Sequence, residues 1–275
     1  MDISEIGRRG LVLIGCGRMG SALLEGWLAR GIAPASVWVQ EPAPSAELSA
    51  LAARGLHLNA GVPAAPAVVL VAVKPQKMAE VLGTLGTVAG PATLVISIAA
   101  GTPLATFAAA CPPGTPIVRV MPNTPAAVGR GISALIGNAA AGPGHLGLAE
   151  ALMAAVGEVV RLGDEGQMDA VTALSGSGPA YVFHLIEAMA AAGVAAGLPE
   201  ALAGQLARAT VCGAGELAHR SDESAARLRE NVTSPGGTTA AALRVLMDPV
   251  AGLPPLMVRA VAAAAERGRE LGRGA

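Results

Sequence analysis

Gly15-Cys16-Gly17-Arg18-Met19-Gly20 sits between the apolar run Leu11-Val12-Leu13-Ile14 and the helix-forming Ser21-Ala22-Leu23-Leu24. A strand, a glycine turn and a helix start, in that order, make an anion site. The first glycine can take a tight turn, the second lets the main chain approach a diphosphate, and the third lets the helix pack on the strand. The free N–H groups and dipole of the helix then face the phosphates. In a chain holding 36 glycines this spacing alone is weak, and a ligand-free turn is the alternative. Its place after the first strand favours a dinucleotide.

The next strand-like run, Val37-Trp38-Val39, ends in Gln40-Glu41-Pro42. Glu41 lies about 20 residues past the turn, where a carboxylate can accept from both hydroxyls of an adenosine ribose. The same charge repels a 2′-phosphate, and no Arg or Lys stands between Gly31 and Arg54 to offset it. Charge logic therefore leans to NADH over NADPH, against the plainer reading of a solvated helix-capping glutamate. A second anion cradle is Ser234-Pro235-Gly236-Gly237-Thr238-Thr239 before Ala240. Consecutive glycines bare their N–H groups at a helix start, a fit for a carboxylate. Taken by itself, the same stretch reads better as a turn with a threonine cap.

Other candidates are weaker. Lys74 follows a strand beside the expected crevice and suits either a general acid or, more simply, a cofactor-lining position ahead of Pro75. Asn123 could aim an amide at a nicotinamide or brace a loop, and the sequence does not separate these. Arg119, in an apolar strand, is expected to pair with a carboxylate. Ser175-Gly176-Ser177-Gly178 lacks the spacing and preceding strand of a hydrolase nucleophile turn. Cys16 is expected to pack inward, and His184 reads as a buried histidine on an apolar helix.

The elements that must position these residues follow two rhythms. Up to about Leu162, apolar runs at Leu11–Ile14, Val37–Val39, Val68–Val73, Leu94–Ile98, Ile117–Val120 and Val159–Leu162 alternate with helical stretches at Met19–Arg30, Ala46–Arg54 and Lys77–Leu85. Strands apolar on both sides predict a parallel sheet covered on both faces, with a hairpin-like strand at Gly131–Ile136 extending it. After Gly163-Asp164-Glu165-Gly166 the pattern is helical: Gln167–Leu174, Pro179–Ala196, Pro199–Ala218, Ser224–Asn231, Thr238–Met247 and Pro254–Leu271. The expected domains are residues 1–164 and 165–275.

Composition narrows the class. The 275 residues carry 19 Lys and Arg against 20 Asp and Glu, which leaves no basic surface for nucleic acid. Aromatic residues make up 2%, too few for a base-stacking platform. Cys16, Cys111 and Cys212 form neither a disulfide framework nor a zinc pattern, and the histidines lack metal-ligand spacing, so no metal is expected. Mean hydropathy is +0.54, yet the longest apolar runs, from Ala92 and from Ala180, are broken by polar residues and glycines. Neither is a clean span, and the start is unlike a secretory signal, so a cytoplasmic chain with no membrane partner is expected.

Ala72-Val73-Lys74-Pro75-Gln76, Ser97-Ile98-Ala99-Ala100-Gly101, Arg119-Val120-Met121-Pro122-Asn123-Thr124-Pro125, Leu174-Ser175-Gly176-Ser177-Gly178-Pro179-Ala180-Tyr181 and Val232-Thr233-Ser234-Pro235-Gly236-Gly237-Thr238-Thr239 follow the glycine turn in order. From about residue 10 to 270 this set resembles the pyrroline-5-carboxylate reductase family. The resemblance implies an α/β plus all-α chain: an N-terminal Rossmann-like dinucleotide-binding domain, then a helical dimerisation domain. It implies NAD(P)H-dependent reduction of 1-pyrroline-5-carboxylate to L-proline, by a homodimer within a larger assembly such as a decamer. Its cofactor contacts fall on Gly15, Gly17, Arg18, Met19, Gly20, Asn59, Ala72, Lys74, Pro75 and Ala99, to which our reading of the second strand adds Glu41. Its substrate contacts fall on Ser234, Gly236, Gly237, Thr238 and Thr239, with the Thr239 hydroxyl beside the imine nitrogen. Many relatives carry a hydroxyl residue where this chain has Glu41. Rival readings are a related imine or β-hydroxy-acid dehydrogenase, disfavoured because no lysine occurs after Gln167, a non-catalytic dinucleotide sensor, and a methyltransferase.

Overall fold

The structure, a computed structural model, describes residues 3–273. The chain forms two compact units, one running to Gly176 and taking in the C-terminal stretch from Ala265, the other spanning Ser177–Ala264.

The first unit holds one eight-stranded sheet: β1 Leu11–Ile14, β2 Val37–Gln40, β3 His57–Leu58, β4 Val68–Val71, β5 Leu94–Ser97, β6 Ile117–Met121, β7 Gly131–Gly137 and β8 Gly157–Arg161. The spatial order is β3-β2-β1-β4-β5-β6-β7-β8. Strands β1 to β6 pair in parallel, as expected of runs apolar on both sides. Strand β7, expected as a hairpin-like extension, runs antiparallel to β6, and β8 then pairs in parallel with β7. The reason is the connection: residues 122–130 contain a 3-10 turn at Thr124–Val128 and Gly129 at φ 68°, which reverse the chain within too few residues for a parallel crossover. The two-residue strand β3 carries no periodic signal and went unseen in the sequence.

Successive strand residues feed opposite cores. Leu11, Leu13, Val68, Leu70, Leu94 and Ile96 join one apolar cluster, whereas Val12, Val69, Val71 and Val95 join the other. The first cluster is covered by α2 (Arg18–Ala29), which follows α1 (Ser4–Arg9), through Leu23, Leu24 and Trp27. Next come α3 (Ala46–Ala52), α4 (Met78–Leu85) and α5 (Leu104–Ala110), and the last two cover the second cluster through Met78, Val81, Leu85, Leu104 and Phe107. Helix α6 (Pro143–Met153) returns to the first cluster with Leu148 and Leu152. Period two in the strands thus becomes a sheet dry on both sides. Helices α1, α5 and α6 were not anticipated.

One polar contact ties this unit together. Arg119 is buried on β6, and its Nη1 lies 2.8 Å from Glu165 Oε1. The same oxygen accepts the Leu104 N–H at 2.9 Å. Helix α5 begins after Pro103, which has no side chain able to cap it, so Glu165 serves as its cap from the far end of the unit. The expected pairing of Arg119 with a carboxylate is therefore present. The unit continues through α7 (Met168–Val171) and one π turn, Thr172–Gly176.

The second unit contains α8 (Gly178–Ala195), α9 (Glu200–Arg220), α10 (Ala225–Asn231), α11 (Thr238–Leu246) and the greater part of α12 (Leu253–Arg273). Helices α8 and α9 approach closely at Gly193, where an added Cβ would lie 3.1 Å from that of Ala203. Among its described residues, Ala203 and Ala207 are the only buried apolar side chains of this unit. Val182, Phe183, Leu185, Leu202, Leu206 and Leu217 are exposed in the single chain. The run Glu165–Ala195 is long and apolar enough by composition to cross a membrane, although it carries Asp169, His184 and Glu187. His184 corrects the sequence reading: it is exposed, and its Nδ1 lies 3.0 Å from Glu187 Oε2.

Replacing Arg119 with Met should leave Glu165 short of its cation and lower stability by about 2–3 kcal/mol, below a fully buried pair because Glu165 keeps some solvent. A urea-unfolding midpoint matching wild type would show the pair to be inert.

Candidate active site

The glycine turn takes its shape from contacts that exclude side chains. Gly15 adopts φ +86°, and a Cβ there would lie 2.9 Å from the Ala72 carbonyl oxygen. A Cβ on Gly20, one turn into α2, would meet the Gly15 carbonyl oxygen at 2.7 Å. Those two glycines hold the helix against β1 and β4. Gly17 differs: a Cβ there would meet nothing within 4 Å, so the main chain faces open space. Gly17 is also the residue that opens α2, and neither a capping side chain nor an acidic residue occupies the first turn. The leading N–H groups of α2 are thereby left for an outside acceptor, in a cradle that suits a diphosphate. Arg18 is exposed and makes no ion pair among the described residues, and Met19 is half-buried beside it.

Cys16 points inward as expected. Its Sγ lies 3.6 Å from Ser21 Oγ, and burial pushes its thiol above the usual range. A neutral, enclosed thiol is a poor nucleophile, so Cys16 contributes its main chain rather than its sulfur. That N–H donates to Glu41 Oε2 at 2.7 Å, and the other carboxylate oxygen accepts the Ala43 N–H at 3.1 Å. Glu41 thus stands over the mouth of the turn and caps no helix; α3 is capped by the Ser45 hydroxyl instead. Asn59 brackets Glu41: Glu41 N–H donates to Asn59 Oδ1 at 2.9 Å, and Asn59 Nδ2 donates to the Glu41 carbonyl at 2.9 Å.

The remaining candidates of this unit line up at the same end of the sheet. Gly15, Glu41, Asn59, Ala72 and Asn123 each follow within two residues of a strand's carboxyl end, which is where open α/β sheets bind ligands. Strand β1 lies between β2 and β4, so the crossovers leave in opposite directions there and open a crevice at the glycine turn. Ala72 N–H donates to the Ile14 carbonyl at 2.8 Å. Lys74 is exposed, and Pro75 begins the 3-10 turn Pro75–Lys77; the Pro75 side chain lies outside the described residues. Ala99 is buried, its N–H donating to Ser97 Oγ at 3.2 Å. Asn123 braces a loop: its Oδ1 accepts the Ile132 N–H at 2.9 Å and its Nδ2 donates to Ser175 Oγ at 3.2 Å.

In the second unit, Val232–Gly237 connects α10 to α11. Gly236 takes φ +72°, and Gly237 opens α11 with no side-chain cap. Among the described residues the hydroxyls of Ser234, Thr238 and Thr239 make no hydrogen bond, so the alternative of a threonine cap is not what this loop adopts. Gly237 N–H donates to the Ser234 carbonyl at 3.0 Å, which folds the turn back on itself. Exposed main-chain donors and uncommitted hydroxyls stand together at a helix start, an arrangement that can hold a carboxylate.

Sequence reasoning missed the capping role of Glu165 and the bracket that Asn59 forms. An asparagine just before Ala60-Gly61 was the available signal for the latter, since Asn tolerates left-handed backbone.

Comparison with known proteins agrees with both halves. Residues 165–271 match the family model described as pyrroline-5-carboxylate reductase dimerisation, and residues 10–101 match that of coenzyme F420-dependent NADP oxidoreductases. The chain is 39% identical to the pyrroline-5-carboxylate reductase of Pseudomonas aeruginosa, over 95% of this chain and 96% of that one. It is 48% identical to that of Synechocystis over 75% of each. Among solved structures, a pyrroline-5-carboxylate reductase from Coxiella burnetii superposes with a TM-score of 0.88 at 34% identity, covering 96% of this chain and 98% of that one. The Plasmodium falciparum pyrroline carboxylate reductase, crystallised with NADP bound, gives 0.79 at 29% identity, covering 96% and 98%. With identity of this order sustained over nearly its whole length, the chain belongs to the pyrroline-5-carboxylate reductase family.

Proposed function

We propose that the crevice at the strand ends of the first unit holds a nicotinamide dinucleotide, and that Ser234–Thr239 in the second unit holds the carboxylate of a cyclic imino acid. The chain is an oxidoreductase, and its reaction is the reduction of 1-pyrroline-5-carboxylate to L-proline. The relatives matched over nearly its full length carry that assignment. The cofactor, when bound, supplies the hydride that adds to the imine carbon.

The chain's own residues bind and orient. The N–H groups of Gly17, Arg18 and Met19 and the Arg18 guanidinium take the diphosphate, over a turn kept tight by Gly15 and Gly20. Ala72, Lys74, Pro75 and Ala99 wall the cofactor at the ends of β4 and β5. The Gly236 N–H and the leading N–H groups of α11, which Gly237 opens, face the substrate carboxylate, with the Ser234 and Thr238 hydroxyls beside them. The Thr239 hydroxyl hydrogen-bonds the ring nitrogen, its oxygen accepting the N–H of the protonated imine. A protonated cyclic imine is already electrophilic, so a hydroxyl that orients the ring or relays a proton suffices. Holding the reacting carbons about 3–3.5 Å apart is then the larger contribution.

The finer reading is that NADH is preferred. It rests on one observation, the Glu41 carboxylate held 2.7 Å from the Cys16 N–H at the mouth of the glycine turn. A carboxylate fixed there accepts from ribose hydroxyls and opposes a 2′-phosphate. Residues 1–164 are the nucleotide domain and 165–275 the substrate and dimerisation domain. The exposed apolar side chains of α8 and α9 suit a second copy of the chain, as a homodimer that builds a larger assembly such as a decamer, in the cytoplasm.

Cofactor absorbance, followed while the purified protein meets the cyclic imine with NADH or NADPH, tests both readings. Absence of turnover with either ends the proposal. Thr239→Ala removes a hydrogen bond of about 1–3 kcal/mol and should lower kcat/KM by about 5- to 150-fold; wild-type kcat/KM would take Thr239 out of the reaction. Glu41→Ser should lower the NADH-to-NADPH ratio of kcat/KM by about tenfold or more, the equivalent of ~1.4 kcal/mol. A ratio that does not move would mean that Glu41 does not read the ribose.

A further inference from the structure

Asn59 is the one described residue other than glycine with a positive φ, at 51°. Side chains seldom occupy this region, asparagine more readily than most, and the surroundings decide whether one stays there. Here the hold is visible in the hydrogen bonds. Asn59 has both ends of its amide on one residue, accepting from Glu41 N–H and donating to the Glu41 carbonyl, each at 2.9 Å. Its own N–H donates to the Val39 carbonyl at 2.8 Å, which anchors it to β2.

Glu41 needs such a bracket. Strand β2 ends at Gln40, and the ladder that fixes its main chain stops there. Gln40 is held from both sides, its carbonyl accepting Gly15 N–H at 2.8 Å and its Nε2 donating to the Ala60 carbonyl at 2.8 Å. Beyond it come Pro42 and the exposed residues 42–47. Among the described residues, the only partner of the Glu41 main-chain N–H and carbonyl is Asn59. The carboxylate beyond that main chain is half-committed. An ionised carboxylate has about four acceptor positions. Cys16 N–H and Ala43 N–H take one on each oxygen, which leaves one on each for the two hydroxyls of a ribose.

We infer that Asn59 is a specificity-positioning residue: by clamping the Glu41 main chain from a left-handed backbone, it fixes the carboxylate at the height where it meets ribose hydroxyls and excludes a 2′-phosphate. Asn59 acts through Glu41, to whose main chain both ends of its amide are bound. The inference rests on the reading of Glu41 given above.

The test uses the full-length wild type, Asn59→Gly, Glu41→Ala and the double variant. Glycine keeps the left-handed backbone and deletes only the clamp. With the imine saturating, kcat/KM is measured for NADH and NADPH. Loss of the two clamp bonds should lower the NADH-to-NADPH ratio by about tenfold, with the change in the KM for NADH rather than in kcat. Once Glu41 is alanine the clamp has no carboxylate to place, so the double variant should match Glu41→Ala within about twofold, the sign of two residues working as one unit. A ratio that falls as far on adding Asn59→Gly to Glu41→Ala as it does in wild type overturns the inference, because Asn59 then meets the cofactor directly. A ratio lowered by Glu41→Ala but untouched by Asn59→Gly overturns it while sparing the reading of Glu41. A ratio untouched by Glu41→Ala overturns both. Calorimetric titration with ADP-ribose and its 2′-phosphate reads the same preference in any variant that binds but turns over too slowly to assay.

Discussion

Everything in the nucleotide-binding unit depends on how closely α2 can lie against the main chain leaving β1. Gly20 lies so near the Gly15 carbonyl that a single added carbon would sit 2.7 Å away, inside van der Waals contact. Gly15 is in turn pressed against the Ala72 carbonyl at the end of β4. Because both positions lack a side chain, the first turn of α2 is drawn down to the edge of the sheet, and its N–H groups face the gap between β1 and β4. The main-chain donors that such packing presents to an anion are fixed in place. Their geometry is the packing of the fold, so the cost of organising them is met when the protein folds rather than when a ligand arrives.

The same logic explains which parts could be read from the sequence. The strands were legible because each alternates between two dry cores: Leu11 and Leu13 go to one, Val12 to the other. Any residue in such a strand has to be apolar, which leaves a continuous run. The glycine turn was legible because sterics admit nothing else at positions 15 and 20. The hairpin-like β7 was legible as well, although the turn that reverses the chain within residues 122–130 leaves no periodic mark. The bracket between Asn59 and Glu41 was hidden for a related reason. It joins positions with no periodic relation, and an asparagine in a left-handed turn looks in sequence like any loop asparagine. Family resemblance marked Asn59 without giving its role.

Glu165 shows how far such hidden contacts reach. One oxygen serves both Arg119 in the middle of the sheet and the first N–H of α5, a helix that Pro103 cannot cap. A guanidinium in an otherwise apolar strand would be costly to bury alone, and an uncapped helix start would be costly beside it. Joining the two needs suggests why a charged pair persists where an apolar residue would pack equally well. The helical unit presents the opposite condition. With only Ala203 and Ala207 buried among its described apolar residues, it does not contain a core of ordinary size. Rows of exposed Leu, Val and Phe on α8 and α9 are what a helical layer looks like before its second half is added, and the dimerisation model matched over residues 165–271 describes that layer.

The loop from Val232 to Thr239 contains no titratable side chain. Its donors are main-chain N–H groups and hydroxyls, whose hydrogen-bonding capacity is unchanged across the ordinary pH range. If the loop holds the substrate carboxylate, as proposed, those donors do not change with pH, and binding of the carboxylate is separable from activation of the ring, which the protonation state of the imine governs. A reductase built this way has no need of a strongly shifted acid, and the shifted thiols and carboxylates at Cys16, Cys111, Glu47, Glu150 and Asp248 lie outside residues 232–239. What the protein must get right is placement, which is where its glycines are spent.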